Sequence, residues 1–132
     1  MDVEIGFLGA GAMGEALING LLQGKLVEPT QITAYDILPK RLQQLHQAYG
    51  IKAASCREEL FAGTDIIILA VKPQNVREAL ASLRPNRGKL VISIIAGITL
   101  AQLAVFLGDV PLVRVVPNTP SLVGEGIAAL TA

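Results

Sequence analysis

The stretch from Val3 to Asp36 leaves this chain few ways to fold. An apolar run, Val3-Glu4-Ile5-Gly6-Phe7-Leu8, meets three glycines at Gly9, Gly11 and Gly14. An amphipathic run follows, and then a second apolar run, Ile32-Thr33-Ala34-Tyr35, which ends in Asp36. Short apolar runs bounded by turn residues read as buried strands, and apolar positions at helical spacing read as a helix. The order is therefore strand, glycine turn, helix, strand, carboxylate. Each part has a task if the ligand is a dinucleotide. Gly9 permits the tight turn, Gly11 lets a pyrophosphate approach bare backbone, and Gly14 lets the helix pack close to the strand. The free N–H groups and positive dipole end of that helix face the phosphates. Asp36, 22 residues past Gly14, is placed to accept hydrogen bonds from the adenosine ribose hydroxyls. A bare glycine pattern is common; strand, helix and acid at these spacings make it specific.

Composition narrows the class further. The 132 residues match one domain. Hydrophobic residues make up 52% and aromatics 4%, so the core is built from aliphatic side chains rather than rings. Eleven basic and eleven acidic residues cancel. With no basic stripe or interleaved aromatics, nucleic acid is not an expected partner. No apolar run reaches the roughly 18 residues of a membrane span. The first strand begins within three residues of Met1, which leaves no room for a signal peptide. The single cysteine, Cys56, cannot form an internal disulfide and fits a reducing compartment. A cytoplasmic protein is the expectation.

The rest of the chain alternates in the same way. Strands are expected at residues 3–8, 31–35, 51–53, 65–71, 89–95 and 112–116. Helices are expected at residues 12–23, after Pro39, 57–61, 76–83 and 100–107. On the first helix Ala16, Leu17, Gly20, Leu21 and Gly24 form a packing face. On the second, Leu42 and Leu45 point inward, with Lys40 and Arg41 more exposed. Residues 65–71 are almost continuously apolar, as a parallel strand covered on both faces must be. The alternation predicts an α/β fold, a doubly wound and mainly parallel sheet of Rossmann type with right-handed crossovers. Ligands of such sheets bind outside the carboxyl ends of the strands. Three polar endings meet there: Lys72-Pro73-Gln74-Asn75, Ala96-Gly97 and Pro117-Asn118-Thr119-Pro120. Turn residues alone would look similar; their convergence on one sheet edge points to a site.

Four blocks of this sequence resemble the pyrroline-5-carboxylate reductases, which catalyse the last step of proline biosynthesis. They are residues 6–13 (Gly-Phe-Leu-Gly-Ala-Gly-Ala-Met), 69–74 (Leu-Ala-Val-Lys-Pro-Gln), 91–100 (Val-Ile-Ser-Ile-Ile-Ala-Gly-Ile-Thr-Leu) and 114–126, from Arg114 to Gly126. The resemblance spans essentially the whole chain. It implies that Leu8, Gly9, Ala10, Gly11, Ala12 and Met13 cradle the pyrophosphate. Ala70, Val71, Lys72 and Pro73 would border the ribose and nicotinamide, with Ile94, Ile95 and Ala96 beside them. Asn118 is the candidate substrate contact. The implied reaction is reduction of the C=N bond of an imino acid by NADPH or NADH, with no catalytic protein residue in this half. A 3-hydroxyacid dehydrogenase-like domain and a non-catalytic dinucleotide-binding module are the alternatives.

Two departures from that family matter. Its members carry a second, helical domain that supplies most of a dimer interface and the loop gripping the imino acid, whereas this chain stops at Ala132. Either the chain is a fragment of a longer homo-oligomeric protein, which is the expectation, or it is a genuinely short relative; alone it is expected to be inactive and prone to self-association through residues 127–130. The family also often has a non-acidic residue where Asp36 stands, suiting the 2′-phosphate of NADP. Asp36 favours NAD, Lys40 and Arg41 could offset it, and use of both cofactors is the expectation.

Other tempting residues have plainer readings. His46 is a surface histidine among glutamines. Cys56 has no metal-ligand spacing and reads as a small packing residue. Glu58 and Glu59 are adjacent and so diverge on a helix. Met13 packs under a cofactor rather than reacting. No metal site is expected.

Overall fold

A computed structural model describes residues 3–83, 85 and 88–115. Six strands form one sheet: β1 (Ile5–Leu8), β2 (Ile32–Tyr35), β3 (Lys52–Ala53), β4 (Ile66–Leu69), β5 (Leu90–Ser93) and β6 (Leu112–Arg114). Five helices separate them: α1 (Ala12–Gln23), α2 (Pro39–Tyr49), α3 (Arg57–Ala62), α4 (Val76–Leu80) and α5 (Leu100–Leu107). The strand order is β3-β2-β1-β4-β5-β6, and every neighbouring pair is parallel. The expected doubly wound α/β sheet is present.

Alternation along the strands builds two cores. In β1, Ile5 and Phe7 join Leu17, Ile18, Leu21 and Leu45 on the α1–α2 face. Leu8 joins Leu60, Phe61, Leu80 and Leu103 on the α3–α4–α5 face. In β4, Ile68 goes to the first face and Ile67 and Leu69 to the second. A strand buried on both sides has to be apolar throughout. Phe7 has no exposed surface, and truncating such a ring costs about 3–5 kcal/mol.

α5 has the limits expected from sequence, and its start is fixed by a local cap. The Thr99 hydroxyl accepts from the Gln102 N–H at 3.1 Å, and the Gln102 side chain accepts from the Thr99 N–H at 2.8 Å. This reciprocal box fixes where a helix starts. Elsewhere the structure corrects the expected limits. β4 is shorter than residues 65–71, because its register matches the four residues of β1. α4 ends at Leu80 instead of continuing to residue 83. There Ala81 turns extended, Ser82 takes φ 64°, and the Arg57 guanidinium gathers the carbonyls of Glu78, Ala79 and Ala81 at 2.8–3.0 Å. On α1 the buried residues are Gly14, Leu17, Ile18, Gly20 and Leu21. Gly24 is exposed, and as the helix C-cap its N–H donates to the Gly20 carbonyl at 3.0 Å. Cys56 is exposed rather than packed; it caps α3, its sulfur accepting from the Glu59 N–H at 3.4 Å.

Candidate functional site

β1 lies at the point where the chain reverses direction across the sheet, with β2 on one side and β4 on the other. The glycine turn leaves β1 at that switch point, where open α/β sheets hold their ligands. The three glycines meet three different surroundings. Gly9 has φ +99°, and a Cβ there would lie 2.7 Å from the Ala70 carbonyl carbon. At Gly14 a Cβ would lie 3.0 Å from the Gly9 carbonyl oxygen. At Gly11 a Cβ would meet nothing within 4 Å. Gly9 and Gly14 thus pack the turn against β4 and α1. Gly11 is exposed and opens onto free space beside the N-terminus of α1, where first-turn N–H groups have no intrahelical acceptor. That opening is the space a pyrophosphate requires, so the residues present fit a dinucleotide.

The turn is held by its neighbours. The Gly9 N–H donates to the Tyr35 carbonyl at 2.9 Å, and the Ala70 N–H donates to the Leu8 carbonyl at 2.8 Å. Asp36 accepts from the Ala10 N–H at 2.8 Å through one oxygen and from the Leu38 N–H at 2.9 Å through the other. A carboxylate has lone pairs beyond these two, so Asp36 keeps capacity for ribose hydroxyls while bracing the turn.

Arg41 differs from its expected placement on an exposed face. Its Nε donates to the Ala10 carbonyl, and its terminal nitrogen pairs with Glu15 and reaches the Gly11 carbonyl at 3.4 Å. The second oxygen of Glu15 accepts from the Tyr49 hydroxyl at 2.7 Å. The Tyr49 bond first, then Arg41, holds the Glu15 carboxyl below the usual 4.5. The same bond pushes the Tyr49 hydroxyl above the usual 10. Lys40, by contrast, is exposed. The sequence reading passed over Glu15 and Tyr49. A signal was available: Arg41 and Tyr49 lie four residues either side of the buried Leu45, and helix positions four apart share a face.

The remaining candidates gather along the same edge. Leu8 and Ala10 are buried, Ala12 is exposed and Met13 is half-buried against the first core. Ala70 and Val71 are half-buried, while Lys72 and Pro73 are exposed. Ile94 and Ile95 send their side chains into opposite cores, which leaves Ala96 exposed at the edge. The buried Ser93 hydroxyl fixes that bend, accepting from the Ile95 N–H at 3.2 Å. Asn118, Val116 at the expected end of the sixth strand and residues 127–130 lie outside the described residues.

Other features stand apart from this edge. His46 is exposed, its Nδ1 paired with the Ile51 carbonyl at 2.8 Å. Glu58 faces solvent in an ion pair with Arg57 at 3.7 Å, and Glu59 bonds the Ser55 hydroxyl. A hollow of about 280 Å³ lies beside Phe61, Leu83 and Lys89. Another of about 410 Å³ runs from Pro73 between Val76, Ile98 and Phe106. Among the described residues no group of three or more His, Cys, Asp or Glu is placed to hold a metal, and no helix is long and apolar enough to cross a membrane.

The profile of the family described as NADP oxidoreductase coenzyme F420-dependent matches residues 4–97. The chain belongs to this family. Within it, the resemblance to pyrroline-5-carboxylate reductases is borne out. The chain is 42% identical over 134 residues to the pyrroline-5-carboxylate reductase of Escherichia coli (strain K12), covering 99% of this chain and 50% of that protein. It is 39% identical over 123 residues to pyrroline-5-carboxylate reductase 2 of Bacillus subtilis (strain 168), covering 91% of this chain and 44% of that one. The crystal structure of Plasmodium falciparum pyrroline carboxylate reductase, with NADP bound, superposes with TM-score 0.78 at 32% identity, covering 92% of this chain and 44% of that one. The chain spans about half the length of the curated relatives it matches. A Rossmann-type sheet and an NAD(P)-linked oxidoreductase family follow.

Proposed function

We propose that this chain is the cofactor-binding half of a pyrroline-5-carboxylate reductase, holding NADPH or NADH while the imine of 1-pyrroline-5-carboxylate is reduced to L-proline. The observation that carries the proposal is the glycine turn at the switch point, packed solid at Gly9 and Gly14 and open at Gly11. Gly11, Ala12 and Met13 offer the pyrophosphate backbone N–H groups, and Asp36 offers the ribose a carboxylate. Ala70 to Pro73, with Ile94, Ile95 and Ala96, form the ledge for the nicotinamide, and Asn118 serves the imino acid. The cofactor supplies the hydride; the protein's part is to hold its ring and orient the reacting carbon. No catalytic side chain is assigned to this half. The relatives that bear the activity are about twice as long, so the chain alone should bind cofactor and turn over little.

Titration of the chain with NADPH and NADH, followed by a nicotinamide-absorbance assay with pyrroline-5-carboxylate, tests this. Binding with little turnover is expected. Fusing the chain to the remaining half of the Escherichia coli relative should then bring turnover. A folded chain that binds neither nucleotide overturns the reading. A fusion that binds the cofactor yet leaves the imine unreduced restricts it to a binding module.

A further inference from the structure

The network of Glu15, Arg41 and Tyr49 touches the glycine turn, yet dinucleotide binding alone gives it no task. Its geometry commits Arg41 almost completely. The guanidinium is shared among the carbonyls of Ala10 and Gly11, the Glu15 carboxylate and the Gln44 side-chain oxygen at 3.3 Å. Glu15 is itself steadied by the Tyr49 hydroxyl. Arg41 lies in the first turn of α2, five residues after Asp36, and both side chains grip the same residue, Ala10, one at its N–H and one at its carbonyl.

A 2′-phosphate on a ribose held by Asp36 would arrive beside this guanidinium. Arginine is the natural partner of a phosphate because its donors form a planar fork. Here the fork is already occupied. Taking Arg41 for the phosphate would strip Glu15 of its cation and leave two carboxylates, Glu15 and Asp36, near a dianion. The Tyr49 bond and Arg41 hold the Glu15 carboxyl below its usual range, so it stays charged at neutral pH. We propose that Glu15 and Tyr49 are positioning residues that withhold Arg41 from a 2′-phosphate and thereby set a preference for NAD over NADP. The inference rests on the dinucleotide reading and takes from it only that the ribose sits at Asp36.

The test is titration of the full 132-residue chain with NADH and NADPH, comparing the ratio of the two affinities. The unaltered chain should favour NADH. Glu15→Gln, close in shape, should move the ratio toward NADPH by about tenfold, the scale of one charge-assisted contact. Tyr49→Phe should move it the same way by about twofold, since it loosens the holder without removing it. The shift should vanish when Glu15→Gln is combined with Arg41→Ala, because the released guanidinium is what gains the phosphate. A purely structural network would change thermal stability and both affinities together, leaving the ratio fixed. That result overturns the proposal, as does a shift that survives Arg41→Ala or an initial preference for NADPH. Failure of the unaltered chain to bind either nucleotide instead brings down the dinucleotide reading itself.

Discussion

On the β2 side of the crevice, Asp36, Arg41, Glu15 and Tyr49 bond to one another or to the glycine turn. On the β4 and β5 side, Lys72, Pro73, Gln74 and Ala96 are exposed, and the shape comes from backbone bonds such as Ala70 N–H to Leu8 and Ile94 N–H to Leu69. The first side is wired by side chains from three separate elements. The second is a ledge of turn residues set down by strand ends. The side proposed for the adenosine half is thus preorganised. The side proposed for the nicotinamide is an exposed ledge with few side-chain bonds. Preorganised contacts give affinity because their ordering is complete before the ligand arrives.

The comparison can be broken most sharply at the glycines. Gly9→Ala forces a Cβ onto the Ala70 backbone at a positive φ. It should cost about 3 kcal/mol or more, read as a lower urea midpoint. Gly11→Val adds its side chain in open space. It should lower stability by only about 1 kcal/mol, the loss of a favourable helix cap, while abolishing binding of both nucleotides in titration calorimetry. A folded Gly11→Val chain with unchanged affinity would rule out the turn as a phosphate cradle.

Smaller effects sharpen the contrast. Asp36→Ser should weaken NADH binding and strengthen NADPH binding, and should cost about 1 kcal/mol of stability through the lost bond to the Ala10 N–H. An unmoved affinity ratio would remove Asp36 from the ribose. Lys72→Ala, on the exposed side, should weaken both nucleotides only about twofold and leave stability unchanged. The remaining effect should fade in high salt.

The weakest effect is on pH. Glu15 has a lowered folded pKa, so its contribution is full above the usual 4.5 and is lost as pH falls through the folded value. Tyr49 has a raised one, so its contribution is full below the usual 10 and is lost as pH rises through the folded value. Melting temperatures across pH should therefore show a small alkaline decline that Tyr49→Phe removes. An identical decline in the variant would assign it to other groups.

Sequence reading reached different depths on the two sides. The glycine turn, α1 and α5 were legible because their determinants are close in sequence: glycine beside strand, apolar residues at helical spacing. The order of the sheet followed from the alternation of apolar runs. What escaped depends on residues brought together by folding. The end of α4 is set by Arg57, from α3, and by the backbone at Ser82. Cys56 looked like filler because a thiol is apolar, yet its place just before α3 makes it a cap. The inward turn of Arg41 needs Glu15 from another helix, and a charge near a helix start ordinarily reads as solvated. The ledge on the β4 side was visible as a set of turn residues; its relation to Asn118 lies outside the described residues.

The all-parallel sheet with β1 at its centre also has a history in time. Parallel neighbours cannot be joined by a hairpin, so each pairing waits for a long crossover to be made. β1 leaves the ribosome before either partner, and its second neighbour, β4, comes only after β2, β3 and three helices. At ordinary synthesis rates that interval is roughly 3–12 s. Through it an almost wholly apolar strand stands with one edge bare. Ile5, Phe7 and Leu8 thus form both the centre of the finished sheet and the strand that waits longest for its second partner.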